Sequence, residues 1–184
     1  MSNAGDTASA AAAYAAANVR HLADTQTRPR TGSVLVPGRT RRANPGSLID
    51  PGILDHMVAS HAELVEHTRA NTDMTPPVPP EHAAVYSWWA QQAPQLSEGA
   101  RRAGEAIVYR QALEHALRAD DITAIRRERC PSCDCLSLRW VAAMRAAVCM
   151  NTKYDSDERA RPRRFNLQQI AEKAVEDLMF RAAT

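Results

Sequence analysis

The stretch "ERCPSCDCLSLRWVAAMRAAVCMNTKYD", residues 128–155, holds all four cysteines of this 184-residue chain and decides the fold of its C-terminal half. Cys130 and Cys133 form a Cys-x2-Cys turn that proline stiffens, and fifteen residues separate Cys133 from Cys149. Zinc holds about four such ligands at tetrahedral corners, with sulfurs within about 4 Å of one another. The spacing lies at the low end for two halves of a zinc ribbon. It predicts a structural zinc site that includes Cys130, Cys133 and Cys149.

The fourth zinc ligand is open in the sequence, because Thr152 stands where a second Cys-x2-Cys pair would end. Cys135 can supply it through sulfur, and Asp155 or Asp157 can supply it through oxygen. Two further alternatives are a site with three cysteines and one water, and buried thiols without metal. The predicted ligand set is therefore Cys130, Cys133, Cys149 and, for the fourth position, Cys135 or an aspartate.

The segment between the cysteines fits two secondary structures. An apolar residue recurs every four positions and alanine is frequent, which indicates a helix over 136–150. Such a helix would hold Cys135 and Cys149 about 21 Å apart and would exclude the metal site. The alternative is a hairpin that turns near Ala143, although neither Gly nor Asn marks that turn. Its expected inner face consists of Leu136, Leu138, Trp140 and, on the returning strand, Val148.

A wider pattern favours the hairpin. The segments VYSWW, YRQALEHALRA, CPSCDCLSLRW, AAVCMNTKY and RRFNLQQIAE follow one another between residues 85 and 172. In this order they resemble small, largely uncharacterised proteins of actinobacteria and their bacteriophages, which combine a Cys-Pro-x-Cys turn, a hairpin, a Cys-x4-Cys pair and a Trp/Phe-x-Leu helix start. The resemblance implies a zinc-ribbon-like hairpin. This chain departs from it at Tyr154, where the last cysteine of the pattern is expected.

The whole chain predicts a mainly α fold, in which a helical body carries a small zinc-ribbon-like β-hairpin module and is followed by a C-terminal helix. Asp50 and Asn166 are expected to cap helices. The predicted parts are an Ala-rich marginal helix with a flexible basic arm (1–47), an amphipathic helix (48–74), a helical body (82–127), the zinc-ribbon-like module (128–165) and the C-terminal helix (166–184). The Ala-rich helix has few side chains to bury, so it is either marginal or a docked arm.

Apolar periodicity predicts the buried face of each helix. For residues 52–70 this face consists of Ile53, Leu54, Met57, Val58, His61, Leu64 and Val65. For residues 167–182 it consists of Leu167, Ile170, Ala171, Ala174, Val175, Leu178 and Met179. Trp88 and Trp89 are expected in the core beside Val85. The histidines form no metal-binding pattern, and most of them are expected at the surface or partly buried; they include His56, His61, His67, His82 and His115.

The arginines of the module indicate a nucleic-acid partner. Between residues 126 and 164, ten basic residues oppose five acidic ones, a formal charge of +5. Contacts from such residues to phosphates release counterions and make binding salt-dependent. The expected contact residues are Arg126, Arg127, Arg129, Arg139, Arg145, Arg161, Arg163 and Arg164. A solvated surface with local ion pairs is the alternative.

Neither a phosphate-binding glycine loop nor a known catalytic motif occurs in the chain, which predicts that it is not an enzyme and has no small-molecule substrate. The apolar stretches are too short for a membrane span, and clustered cysteines favour a reducing, cytoplasmic location. The sequence thus predicts a non-enzymatic accessory protein of actinobacterial or phage origin that contacts nucleic acid. The alternative is a protein-interaction or phage assembly factor whose helices 52–70 and 167–182 pack against a protein partner or a second copy of the chain, with a purely structural cysteine module.

Overall fold

A computed structural model describes residues 4–27, 50–73, 76–151 and 163–183, which form helices and one small sheet. The helices are α1 (Ala4–Thr27), α2 (Pro51–Ala70), α3 (Ala84–Gln92), α4 (Glu98–Arg118), α5 (Thr123–Arg126) and α6 (Leu167–Ala183). The strands are β1 (Leu138–Val141), β2 (Ala146–Cys149) and β3 (Arg164–Phe165). The predicted fold class, mainly α with a small β-hairpin, is confirmed. Among the described helices, none has the length and apolarity needed to cross a membrane.

Helix α1 packs at the centre of the body although its side chains are small. Its buried residues are Ala8, Ala11, Ala12, Ala15, Ala16, Val19 and Leu22. It lies mainly against α4 and α3, and Asn18 Nδ2 donates a hydrogen bond to the carbonyl of Ala112 (3.0 Å). Because alanine lets helices approach closely, a face of small volume still excludes water. The docked form of the Ala-rich helix is therefore the one observed, and the basic arm predicted through residue 47 lies outside the described residues.

Helix α2 begins as predicted, because Asp50 Oδ1 accepts a hydrogen bond from the backbone N–H of Gly52 (2.8 Å). Its buried face differs from the predicted one, since Leu54 and Val58 are 42% and 50% exposed. The residues that α2 buries are His56, Met57, Ser60, Leu64, Val65 and Thr68. The apolar pattern missed His56 and Ser60. Both are held against α4, because the His56 ring bonds to His115 and the backbone carbonyl of Ser60 accepts a hydrogen bond from Gln111.

These bonds belong to a buried polar network between α2, α3 and α4. His56 Nε2 lies 3.1 Å from His115 Nδ1, and His115 Nε2 lies 2.7 Å from the hydroxyl of Tyr86. Tyr86 donates to Gln111 Oε1 (3.0 Å), and Gln111 Nε2 donates to the carbonyl of Ser60 (3.0 Å). Because the Tyr86 proton goes to Gln111, His115 donates from Nε2 and accepts from His56 at Nδ1. Both rings are neutral in this arrangement.

His56 and His115 are exceptions to the surface or partly buried positions expected for most of the histidines, because they are 9% and 0% exposed. Burial is the largest cause that lowers the pKa of His56 to about 4 and that of His115 to about 3; Arg118 contributes to both shifts, and His56 contributes to that of His115. The cost of burying two imidazoles is offset by hydrogen bonds to the neutral rings.

Trp88 and Trp89 are core residues, as predicted, with 5% and 0% of their surface exposed. The ring of Trp89 lies directly on Gly104 of α4, where an added methyl group would come within 2.8 Å of Trp89 Cζ2. Glycine costs about 1 kcal/mol in a helix interior relative to alanine. Gly104 occurs in this helix despite that cost, because any side chain at position 104 would collide with the Trp89 ring.

Strands β1 and β2 form the predicted hairpin, which excludes a helix over 136–150. Leu138 pairs with Cys149 and Arg139 pairs with Val148, and β3 lies against the other side of β2. Cross-strand partners share a face of the sheet, so two residues of the predicted inner face are misplaced. Leu136 precedes β1 and is exposed, and Val148 lies on the face of Arg139. The face that packs on the helices carries Leu138, Trp140, Ala147, Cys149 and Phe165.

The hairpin turns through residues 142–145 without Gly or Asn. Arg145 takes the left-handed conformation (φ 47°, ψ 41°) that those residues usually supply, after a short 3-10 turn at Ala142–Met144. A side chain makes this conformation costly by about 1 kcal/mol. Closure of the hairpin thus overrides the local preference of the turn.

Helix α6 begins at the predicted cap. Asn166 Oδ1 accepts a hydrogen bond from the N–H of Gln169 (2.8 Å), and Gln169 Oε1 accepts one from the N–H of Asn166 (3.0 Å). This reciprocal capping box fixes the point at which the chain leaves the sheet. Ile170, Ala171 and Val175 of the predicted stripe are buried.

Candidate metal centre

Three cysteines converge where the loop after α5 meets the end of β2. Cys130 and Cys133 lie in that loop, and Cys149 is the last residue of β2. The N–H of Met150 donates to the carbonyl of Ser137 (2.9 Å), and the N–H of Cys149 donates to the carbonyl of Arg163 (3.0 Å). Backbone bonds on both sides of β2 therefore fix Cys149 beside the first cysteine turn.

The Cys130–Cys133 turn is closed by backbone hydrogen bonds. The N–H of Asp134 donates to the carbonyl of Cys130 (2.9 Å), and Cys130 donates its own N–H to the carbonyl of Cys135 (3.0 Å). Asp134 has a left-handed backbone (φ 59°), which lets the chain reverse here. The N–H of Ser132 points at the sulfur of Cys130 (3.4 Å). Backbone donors at sulfur stabilise a thiolate, which is the form that binds metal.

The sulfurs of Cys130, Cys133 and Cys149 all lie within 4.8 Å of one another, close enough to hold one metal ion. Cys133 Sγ and Cys149 Sγ are 3.6 Å apart. A tetrahedral ion with bonds of about 2.3 Å to sulfur places two ligand sulfurs about 3.8 Å apart. The four cysteines carry free thiols, with no disulfide among them. The spacing is that of metal ligands and too long for a sulfur–sulfur bond.

The three thiols differ in their electrostatic surroundings. Burial raises the pKa of Cys130 to about 11. A hydrogen bond from the backbone N–H of Cys135 is the largest cause that lowers the pKa of Cys133 to about 6. Cys133 therefore gives up its proton more readily than Cys130, which needs a nearby cation to do so.

Cys135 lies next to the three-sulfur set and is not one of its members. Its sulfur accepts a hydrogen bond from Asn151 Nδ2 (3.3 Å), and the same amide lies 3.7 Å from Cys133 Sγ. Ser137 Oγ lies 3.1 Å from Cys149 Sγ. The side chains of Ser137 and Asn151 and the thiol of Cys135 thus lie next to the three sulfurs. The other predicted ligands, Asp155 and Asp157, together with Thr152 and Tyr154, lie outside the described residues.

The predicted nucleic-acid contacts fall on several surfaces. Arg139 and Arg164 both lie beside Val148 on one face of the sheet, and Arg145 lies at the hairpin turn. Arg129 pairs with Asp134 (3.0 Å). Three of the predicted residues lie elsewhere: Arg126 and Arg127 are exposed at the end of α5, and Arg163 contacts Ser132 beside the cysteines. Arg161 is outside the described residues.

Sequence reasoning missed the residues that support the cysteine turn. Asp134 lies 3.2 Å from Lys173 of α6 as well as beside Arg129, so it ties the turn to the last helix. Asn151 and Ser137 carry no pattern that marks them as neighbours of the sulfurs. Only the folded structure shows that they lie near Cys133 and Cys149 in space.

Comparison with protein-family models, curated proteins and solved structures finds no match to this chain. The resemblance to actinobacterial and phage proteins therefore stays a prediction.

Proposed function

We propose that the chain is a non-enzymatic nucleic-acid-binding protein whose hairpin is held by one structural zinc ion. The observation that carries the proposal is the arrangement of the sheet. Arg139 and Arg164 flank Val148 on the face opposite the helices, and Cys149 ends the same central strand. A metal ion that fixes β2 would therefore also fix the spacing of the two arginines.

Three cysteine ligands support zinc as the metal. Soft thiolates select Zn²⁺, Cu(I) or iron–sulfur clusters, and the first of these is the usual occupant of a cysteine turn paired with a hairpin. Structural zinc sites are four-coordinate and closed to substrate. The site would stabilise the module and take no part in a reaction.

The arginine pair supports nucleic acid as the partner. Two strand spacings separate Arg139 from Arg164, about 10 Å. Both side chains are exposed, and in the described part of the chain neither forms an ion pair. Guanidinium groups held in this way can bind phosphates through paired hydrogen bonds. They line a shallow cleft of about 450 Å³ with Trp140 and Met150.

The zinc part is tested by elemental analysis of protein purified without chelator. The parent chain is expected to contain one zinc per chain and Cys149→Ser none. Cys135→Ser is the matched control, because it removes a neighbouring thiol outside the three-sulfur set, and it should keep its zinc. A parent chain without metal would contradict this part of the proposal.

The nucleic-acid part is tested by fluorescence anisotropy with a labelled oligonucleotide at several salt concentrations. Arg139→Gln/Arg164→Gln should weaken binding and reduce the slope of log affinity against log salt by about 1.4 to 1.8. The control is Arg20→Gln/Arg69→Gln, which removes the same charge from exposed positions of α1 and α2. A parent chain that binds neither single strands nor duplex at low salt is not a nucleic-acid-binding protein.

A further inference from the structure

A second cleft, of about 630 Å³, opens between the hairpin turn, the C-terminal half of α4 and the start of α6. It is within the size range of sites that hold a small ligand. Its walls carry the aromatic ring of Trp140 and the cations Arg118 and Arg145, with Leu117 and Leu167 between them. An aromatic surface next to two cations is suited to a ligand that joins a flat ring to an anionic group.

The charge balance of this cleft is positive. Its one acidic wall residue, Glu114, is already paired with Arg110 (2.6 Å). Arg118 and Arg145 are exposed and form no ion pair within the described residues. The first turn of α6 adds to the positive potential, because Asn166 and Leu167 line the cleft and the N-terminal end of a helix carries a partial positive charge. An anionic group is therefore favoured between the two arginines.

The backbone of Arg145 gives independent support. Arg145 is left-handed at a turn position where Gly or Asn would fold at lower cost. Strained residues of this kind cluster at functional sites. At this strained position the chain carries a cation, the Arg145 guanidinium, which lines the cleft.

Trp140 connects this cleft with the arginine pair on the sheet, because it lines both clefts. Within the described residues its ring stacks on no other aromatic ring. A strand bound along Arg139 and Arg164 that crosses the edge of β1 to the opposite face of the sheet would thus meet the half-buried ring of Trp140 and then two further cations. This is the usual composition of a surface for single-stranded nucleic acid.

We propose that this cleft takes one unpaired nucleotide of a single strand, with its base on the ring of Trp140 and its phosphate between Arg118 and Arg145. The proposal rests on the proposed nucleic-acid-binding function and names its substrate class. A base-paired duplex presents no base to Trp140, so single strands bind more tightly than duplex of the same sequence.

The test compares a single-stranded oligonucleotide, its duplex and a free mononucleotide by anisotropy and by tryptophan fluorescence of the full chain. Because Trp88 and Trp89 are buried, quenching by a bound base reports on Trp140. Trp140→Leu is expected to weaken single-strand binding about tenfold and to leave duplex binding unchanged, whereas Trp140→Phe keeps most of the affinity. Since Trp140 also packs in the sheet, Arg118→Gln and Arg145→Gln provide a second test on exposed side chains, and each should weaken single-strand binding selectively.

Three outcomes overturn the proposal. Equal affinity for single strand and duplex, with no effect of the cleft variants, removes the cleft and leaves nucleic-acid binding by Arg139 and Arg164 intact. A mononucleotide that binds as tightly as the strand, with the same dependence on Trp140, assigns the cleft to a free nucleotide. Absence of binding to every probe at low salt removes the proposed function as well.

Discussion

The helical body and the cysteine module are held together by different means. The helical body, taken here as helices α1 to α4, buries large apolar side chains completely, among them Leu22, Leu64 and Trp89. Within residues 128–151 of the module, the buried apolar residues are few and mostly small: Cys130, Leu138, Ala147 and Val148. Burial on this scale does not offset the entropy of ordering two dozen residues, which is why small units use metals or disulfides. We therefore expect that the body folds without a metal ion and that the module needs the proposed zinc ion.

Metal removal should separate the two regions most clearly. If the module depends on zinc, a chelator removes a stabilisation on the order of 10 kcal/mol from it. Amide hydrogen exchange should then show that the N–H groups of Cys149 and Met150 lose protection, while α1 to α4 keep theirs. The Cys149→Ser variant should show the same pattern without chelator. Sheet amides that stay protected in chelator would mean that the module folds without metal.

Acid should act on the body through His56 and His115. Both have a pKa near 6.5 in the unfolded chain and of about 4 and about 3 in the folded protein. Between pH 6.5 and about 4 the unfolded chain therefore binds more protons, and the free energy of unfolding decreases as the pH falls. The stabilisation is complete above pH 6.5, and its loss amounts to a few kcal/mol.

The measurement is denaturant unfolding, followed by helical circular dichroism between pH 7 and pH 4. It is made in the Cys149→Ser background, so that metal release does not contribute. The slope should flatten in His56→Gln/His115→Gln and persist in His21→Gln, whose ring is exposed on α1. An unchanged slope in the double variant would assign the acid sensitivity to other groups.

The contact between Gly104 and Trp89 predicts opposite effects at two glycines of the same helix. Gly104→Ala should lower the free energy of unfolding by about 1–3 kcal/mol, because the new methyl group overlaps a fully buried ring. Gly99→Ala should raise it by up to about 1 kcal/mol, since nothing lies within 4 Å of the added methyl group. Thermal unfolding of the two variants checks the prediction, and stabilisation by Gly104→Ala would show that the ring can move away.

The smallest expected effect is at the hairpin turn. Arg145→Gly should stabilise the module by about 1 kcal/mol relative to Arg145→Ala. Both variants remove the guanidinium group, but alanine keeps the Cβ atom that makes the left-handed conformation costly. Competition for zinc with a chelator of known affinity measures this difference. Equal zinc affinity in the two variants would show that the turn stores no strain that metal binding must offset.

Much of this architecture could be predicted from the sequence. The helix start at Asp50, the cap at Asn166, the core position of Trp89 and the convergence of Cys130, Cys133 and Cys149 each follow from local residue chemistry. They could be predicted because each depends on a few residues with a fixed spacing.

The features that the sequence did not predict depend on distant contacts. The turn at Arg145 has no local signal, because hairpin closure imposes a conformation that arginine does not prefer. The buried face of α2 is rotated because His56 and Ser60 find partners on α4, 59 and 51 residues away. The same holds for Asn151 at the sulfurs, which becomes a neighbour of Cys133 only after β1 and β2 have paired.

The alanine stripe of α1 has a consequence for mutational tolerance. Ala8, Ala12 and Ala15 have almost no exposed surface, and α1 packs mainly against α4 and α3. A scan of all substitutions there should rank residues by volume, with glycine and serine accepted and leucine or phenylalanine rejected. At other core positions the ranking of substitutions should follow hydrophobicity. A ranking that depends on side-chain volume alone would therefore distinguish α1 from the neighbouring helices.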